Sequence, residues 1–281
     1  MEPLIRTKAL TKSFRHRGTH GPVVTTAVAD ANVEIRAGTT LGCVGGSGSG
    51  KSTLGRLILG LITPDSGVVT YKSRQISGLG PAEMRPLRRE LGIVFQDPML
   101  SLNPRRSVGA SLARPLRNFG ASRKAARERV EELMRLVGLE PRLVDRYPNE
   151  FSGGQCQRLA IARALALEPA FLFLDEPVSA LDVSVQAQIL NLLLDLQERL
   201  GLAYLFVTHD LRLIRFVAPE LIVMEHGRIV EAGSSEQICA EPRHPYTRTL
   251  LSGVLRLDTP FDWSAVADDA LELDAPAAAH G

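Results

Sequence analysis

Short unbroken apolar runs alternate along this chain with stretches in which apolar residues recur every three or four positions. The runs are TTLGCVG (39–45), LGIVFQ (91–96), FLFLDEP (171–177) and LAYLFVTHD (202–210). Runs of this length, bounded by glycine, proline or charge, predict strands buried on both faces. From Lys51, the residues Leu54, Leu57, Ile58 and Leu61 fall on one helical face before Pro64, Asp65 and Gly67 break the chain. Between Val185 and Leu200 a second stripe of Ile189, Leu192, Leu193, Leu196 and Leu200 is stopped by Gly201. The segment from Leu4 to about Gly38, which includes the polar RHRGTHG, alternates β-rich pieces with turns and predicts antiparallel hairpins. From about Asp97 to Glu150 the chain is rich in arginine and carries helical patterns such as ASRKAARERVEELMRLVGL. That change predicts a separate helical subdomain. Beyond Leu257 the chain has six acids and no Lys or Arg, and it is expected to be disordered. No internal repeat is present.

Strands and helices in this order predict an α/β fold, a mostly parallel sheet covered on both faces. In such sheets ligands sit beyond the carboxyl ends of the strands. The 281 residues suffice for one large α/β domain with a small subdomain. A net charge of +2 points to neither nucleic acid nor an acidic partner. No uncharged apolar run is long enough to span a bilayer, and MEPLIRTKAL lacks a signal-peptide core. A cytoplasmic chain that docks on a membrane protein is expected. Cys43, Cys156 and Cys239 lie far apart without paired metal-ligand spacing and read as reduced thiols.

The stretch GGSGSGKST (45–53) has two readings, a flexible linker or a phosphate cradle. It follows an apolar strand and opens an amphipathic helix, the setting that the pattern GxxxxGK[ST] requires, and a linker would not be so framed. Its glycines let N–H groups converge on phosphate oxygens at a helix N-terminus, Lys51 can reach the β- and γ-phosphates, and Ser52 can ligate Mg²⁺. FLFLDEP delivers Asp175 to a strand end, where it can hold Mg²⁺, and Glu176 one step beyond, where it can polarise a water. LFVTHD ends a strand with His209, a candidate hydrogen-bond donor to the γ-phosphate. Gln96, at the end of LGIVFQ, is a candidate contact to Mg²⁺ or the water, and Phe14 a candidate to stack on adenine. EFSGGQCQR (150–158) places a serine and two glycines at the start of a second helix. A plain cap explains Ser152 but not the paired glycines plus Gln155. A site shared with a second copy or a sibling would explain them all.

Taken together, GGSGSGKS, FQDP, FSGGQ, FLFLDEP, SALD and VTHD resemble the ATPase subunits of ABC transporters over about residues 4–250. The resemblance implies a P-loop ATPase core with an antiparallel β subdomain at the N-terminus and an inserted helical subdomain. The expected parts are core over 1–96 and 161–235, helical subdomain over 97–160, C-terminal extension over 236–256 and tail over 257–281. It further implies a head-to-tail dimer holding two ATP molecules with Mg²⁺. Each ATP lies between one subunit's loop (Gly45, Gly46, Ser47, Gly48, Ser49, Gly50, Lys51, Ser52 and Thr53) and the other's Ser152, Gly153, Gly154 and Gln155. SALD (179–182) resembles the loop through which the two sites sense each other.

The stretches FQDPMLSLNPR, FSGGQCQR, DEPVSALDVSVQAQ and PRHPYTRTLLSGV look like the peptide/nickel importer branch, and most like its second, F-type ATPase subunit. The HPYT extension, about Glu241 to Val254, is typical of that branch. Implied partners are a second ATPase subunit, two membrane permeases and, indirectly, an extracellular or periplasmic binding protein, with no nucleic acid. The implied place is the cytoplasmic face of the membrane. Two positions depart from the branch. Gly46 stands where Glu is frequent, and there the backbone is expected to face phosphate. Cys156 stands where many relatives carry Gln. With Cys239 the only cysteine in the C-terminal region, the iron–sulfur cluster of some relatives is expected to be absent. The rival readings are a soluble ATPase acting on DNA or ribosomes and an accessory ATPase of a phosphonate-degrading complex. The first conflicts with the short, heptad-free spacer between the loop and SGGQ and with the single ATPase domain; the second conflicts with FQDPMLSLNPR.

Overall fold

The computed structural model describes residues 2–18 and 21–255; the acidic tail lies outside the described residues. Two sheets organise the chain. The first has the order β2-β1-β4-β5 and is antiparallel, built from β1 (Ile5–Gly18), β2 (Gly21–Ile35), β4 (Ser66–Tyr71) and β5 (Arg74–Gln75). The second has the order β10-β9-β3-β8-β7-β6. Its strands are β3 (Thr40–Val44), β6 (Leu91–Val94), β7 (Phe171–Asp175), β8 (Ala203–Thr208), β9 (Glu220–Glu225) and β10 (Arg228–Ser234). Every pair from β9 to β6 is parallel, and β10 closes the far edge antiparallel.

The unbroken apolar runs follow from burial on both faces of this second sheet. Along β7, Phe171 and Phe173 face one core and Leu172 and Leu174 the other. In β8, Leu205 and Val207 face the first, and Tyr204 and Phe206 the second. The period-2 geometry of a strand sends alternate side chains to opposite layers. The first layer contains helix α1 (Lys51–Ile58), helix α2 (Pro81–Leu87) and the antiparallel sheet. The second contains α5 (Gly153–Ala164), α6 (Val183–Leu200) and α7 (Leu211–Val217), together with α3 (Val108–Asn118) and α4 (Arg123–Leu136) of the arginine-rich stretch. Helices α8 (Ser235–Ala240) and α9 (Pro245–Leu255) complete the chain. The α/β architecture expected from the sequence is therefore present.

Three local expectations are corrected. Helix α1 does not reach Leu61. Gly60 adopts a left-handed φ of 61°, Gly60 N–H donates to Leu57 O and Leu61 N–H to Arg56 O, a glycine stop that leaves Leu61 43% exposed. Strand β6 ends at Val94, so Gln96 lies in the loop two residues beyond it. Leu200, the last member of the α6 stripe, is exposed, because the helix runs past the core before Gly201 caps it at φ 65°.

Candidate functional site

Strand β3 runs into the glycine loop, which turns directly into α1. Two glycines there are required by space. A Cβ on Gly45 would lie 2.3 Å from Met224 O, and one on Gly50, at φ 105°, 2.1 Å from Ala27 O. Lys51 is buried and folds back over the loop, its Nζ donating to Gly45 O at 2.8 Å and Gly46 O at 2.9 Å. The N–H groups of Lys51, Ser52 and Thr53 have no partner inside the helix, and no side chain caps it. Ser49 Oγ is buried without a partner, whereas Ser47 and Gly48 are exposed. Backbone donors and one cation thus converge on the carboxyl end of β3, an arrangement suited to an anion. The Gly46 N–H, whose backbone is expected to face phosphate, donates to Tyr246 Oη of α9 at 2.7 Å.

The neighbouring strand ends supply the acids. Ser52 Oγ donates to Asp175 Oδ1 at 2.7 Å. Burial pushes the Asp175 carboxyl above its ordinary range, opposed by the Ser52 hydrogen bond and by Arg56. One carboxylate beside one hydroxyl is a small set of hard oxygen donors. It fits Mg²⁺, which takes few protein ligands and keeps waters or phosphate oxygens around it. Gln96, the candidate contact to Mg²⁺ or the water, has its Nε2 donating to Ser179 Oγ at 3.2 Å and 3.5 Å from Glu176 Oε2.

Glu176 follows β7 with a φ of 48°, a left-handed conformation for a residue that has a Cβ. Such strain costs on the order of 1–3 kcal/mol and persists where the surroundings enforce it. Here the Glu176 N–H is held by Val207 O at 3.0 Å and its carbonyl by Ser179 Oγ at 3.2 Å. The bend aims the carboxylate at β8, where Oε2 lies 3.0 Å from His209 Nδ1. The Glu176 side chain is 18% exposed and the His209 ring 59%. A carboxylate fixed by an imidazole beside a cation-binding oxygen pair can take a proton from water next to a bound phosphate.

The two remaining groups lie on other elements. Phe14, on β1, is half exposed with the Lys12 ammonium 5.7 Å from its ring centroid. It sits opposite Thr25, two residues from Ala27, whose carbonyl packs on Gly50. Ser152 caps α5. Its Oγ accepts the Gln155 N–H at 3.3 Å, and Gln155 Oε1 accepts the Ser152 N–H at 3.0 Å. A Cβ on Gly154 would lie 2.5 Å from Val185 Cγ1 of α6. A capping box and close helix packing give Gln155 and Gly154 local roles within the chain. Exposed Gly153 has no such local reason; a Cβ there would meet only Leu181, at an ordinary 3.6 Å. Among the described residues no hydrogen bond joins 152–155 to the 45–53 loop of the same chain.

Sequence reasoning missed Tyr246 as a neighbour of the loop, since 200 residues separate it from Gly46 and no local pattern announces the contact. It also missed the bond from Gln96 Nε2 to Ser179 Oγ. Among the described residues no group of three or more His, Cys, Asp or Glu is placed to hold a metal, and no helix is long and apolar enough to cross a membrane. Burial raises all three thiols, Cys43 to about 12.

Comparison with known proteins adds six findings. Residues 28–179 match the family model described as ABC transporter, and residues 230–277 match the C-terminal region of oligopeptide/dipeptide transporters. The chain is 47% identical to the oligopeptide transport ATP-binding protein OppF of Escherichia coli, over 83% of this chain and 70% of that one. It is 50% identical to OppD of Mycobacterium tuberculosis over 91% of this chain, which spans 41% of that longer protein. Identity thus does not favour the F-type over the D-type subunit. Among solved structures, an ATP-binding cassette captured as a dimer after hydrolysis with ADP and Pi has a TM-score of 0.73 at 32% identity, covering 82% of this chain and 98% of that one. CbiO1 of Clostridium perfringens, part of an ABC transporter complex, has a TM-score of 0.74 at 28% identity, covering 95% of this chain and all of the other.

Proposed function

The chain belongs to the ABC transporter family, and on that premise we propose that it is the ATP-hydrolysing subunit of a peptide importer. The observation that carries the reading is the Glu176–His209 contact of 3.0 Å beside the Ser52–Asp175 pair, at the ends of adjacent parallel strands. The 45–53 loop and the first turn of α1 bind the phosphates of ATP, and Lys51 exchanges its loop carbonyls for phosphate oxygens. Ser52 and Asp175 hold Mg²⁺, which when bound neutralises charge on the phosphates. Glu176 takes the proton of the attacking water, and His209 orients that carboxylate and donates to the γ-phosphate. Phe14 stacks on adenine.

Ser152–Gln155 of a second ATPase subunit complete the site across a head-to-tail interface, with Gly153 as the exposed contact. Gln96 links the site to the helical subdomain through Ser179 and Glu176, and α3 and α4 pass the motion to two membrane permeases. The chain works as a peripheral subunit at the cytoplasmic face, and an external binding protein delivers the cargo. The oligopeptide transport names of its relatives, and the oligopeptide/dipeptide transporter match over 230–277, favour peptides over nickel chelates.

Lys51→Ala tests the phosphate reading. Two charge-assisted hydrogen bonds are lost, each worth about 1.5–3 kcal/mol, so ATP affinity is expected to fall at least tenfold. The thermal midpoint should change little, because Lys51 bonds only loop carbonyls. Unchanged affinity in a titration with a fluorescent ATP analogue would exclude the loop as the phosphate site.

A further inference from the structure

Tyr246 connects the C-terminal extension to the glycine loop. The N–H that donates to Tyr246 Oη belongs to the Gly45–Gly46 peptide, and the carbonyl of that same peptide accepts Lys51 Nζ at 2.8 Å. One peptide unit is therefore held at both poles, by the tyrosine at its N–H and by the lysine at its C=O. The tyrosine is itself anchored. Both carboxylate oxygens of Glu231, on β10, accept N–H groups at the start of α9, from Arg243 at 2.9 Å and His244 at 3.0 Å. His244 Nδ1 accepts the Tyr246 N–H at 3.3 Å, Thr247 is fully buried, and the Tyr246 ring packs on the second core. Gly46 makes room for the contact, since a Cβ there would come within 3.0 Å of the hydroxyl.

We propose that Tyr246 is a positioning residue for nucleotide binding, its hydroxyl fixing the Gly45–Gly46 peptide so that the C-terminal extension forms part of the phosphate site. When Lys51 swings to a phosphate, Gly45 O loses its partner. Tyr246 is then the remaining side-chain restraint on that peptide and keeps its carbonyl from rotating toward the anion. The inference rests on the reading of 45–53 as the phosphate cradle.

Tyr246→Phe in the full chain tests it, because the ring stays and only the hydroxyl leaves. ATP dissociation constant and KM are expected to rise about two- to tenfold, the range for one hydrogen bond. The kcat should stay within about twofold, since Glu176 and His209 are untouched, and amide exchange in the 45–50 segment should quicken. Arg248→Ala, which removes a bond from α9 to Pro242 O but leaves the tyrosine in place, should leave KM unchanged. If Lys51→Ala loses ATP while Tyr246→Phe keeps wild-type KM and exchange, or binds more tightly, the role of Tyr246 is overturned and the phosphate site stands. If Arg248→Ala raises KM equally, Tyr246 serves only helix stability and the proposal is also overturned. If the unchanged chain binds no ATP, the cradle reading fails and this inference with it.

Discussion

Glu176→Gln is expected to bind ATP and to hydrolyse it about 10²–10⁴ times more slowly than the unchanged chain, the range of general-base catalysis. The substitution keeps the length and branching of the side chain. It keeps a hydrogen-bonding atom near His209 Nδ1 and near Gln96, and asks nothing new of a backbone already held at φ 48° by Val207 O. What it removes is the negative charge that accepts a proton. Turnover and nucleotide affinity must therefore separate: kcat falls, the dissociation constant holds, and an ATP-bound dimer accumulates in size-exclusion chromatography. Full turnover would remove Glu176 from the role of base. Loss of binding along with turnover would make it a structural residue.

Gly153→Asp is expected to abolish most hydrolysis without lowering stability. Asp at the first helical position replaces the least helix-prone residue after proline and adds a negative charge where the helix dipole favours one, so the thermal midpoint should hold or rise slightly. A Cβ there meets nothing closer than 3.6 Å within the chain. Any loss of activity must then come from outside it, where a carboxylate presented to the γ-phosphate of a partner's ATP repels the anion. In a homodimer both sites fail; in a heterodimer one fails, and the defect maps to the sibling's nucleotide. Retained activity in both assemblies would mean that 152–155 does not meet a nucleotide.

The parts of the site that the sequence disclosed are those whose spacing is local. Unbroken apolar runs marked β3, β7 and β8 because both faces of these strands are buried, and polar residues just past each run fell at one sheet edge because the strands are parallel. The apolar spacing runs on to Leu61 and overstates α1, because the left-handed turn at Gly60 stops the helix. The capping box of Ser152 and Gln155 is local in sequence, whereas the approach of Val185 to Gly154 depends on α6 being in place. The bond from Gln96 to Ser179 joins residues far apart in sequence, so no local spacing announces it. The Tyr246 contact depends on the antiparallel edge strand β10 and Glu231 bringing α9 back to β3, a long-range consequence of topology.

The most direct measurement on the central claim is affinity capture of the full chain from gently solubilised native membranes, with bound proteins identified by mass spectrometry. The account predicts two multi-span permeases, a second ATPase subunit and an associated peptide-binding protein. Recovery of ribosomes, DNA-repair proteins or soluble phosphonate-degrading enzymes in their place would contradict it, leaving an ATPase that does not power peptide uptake.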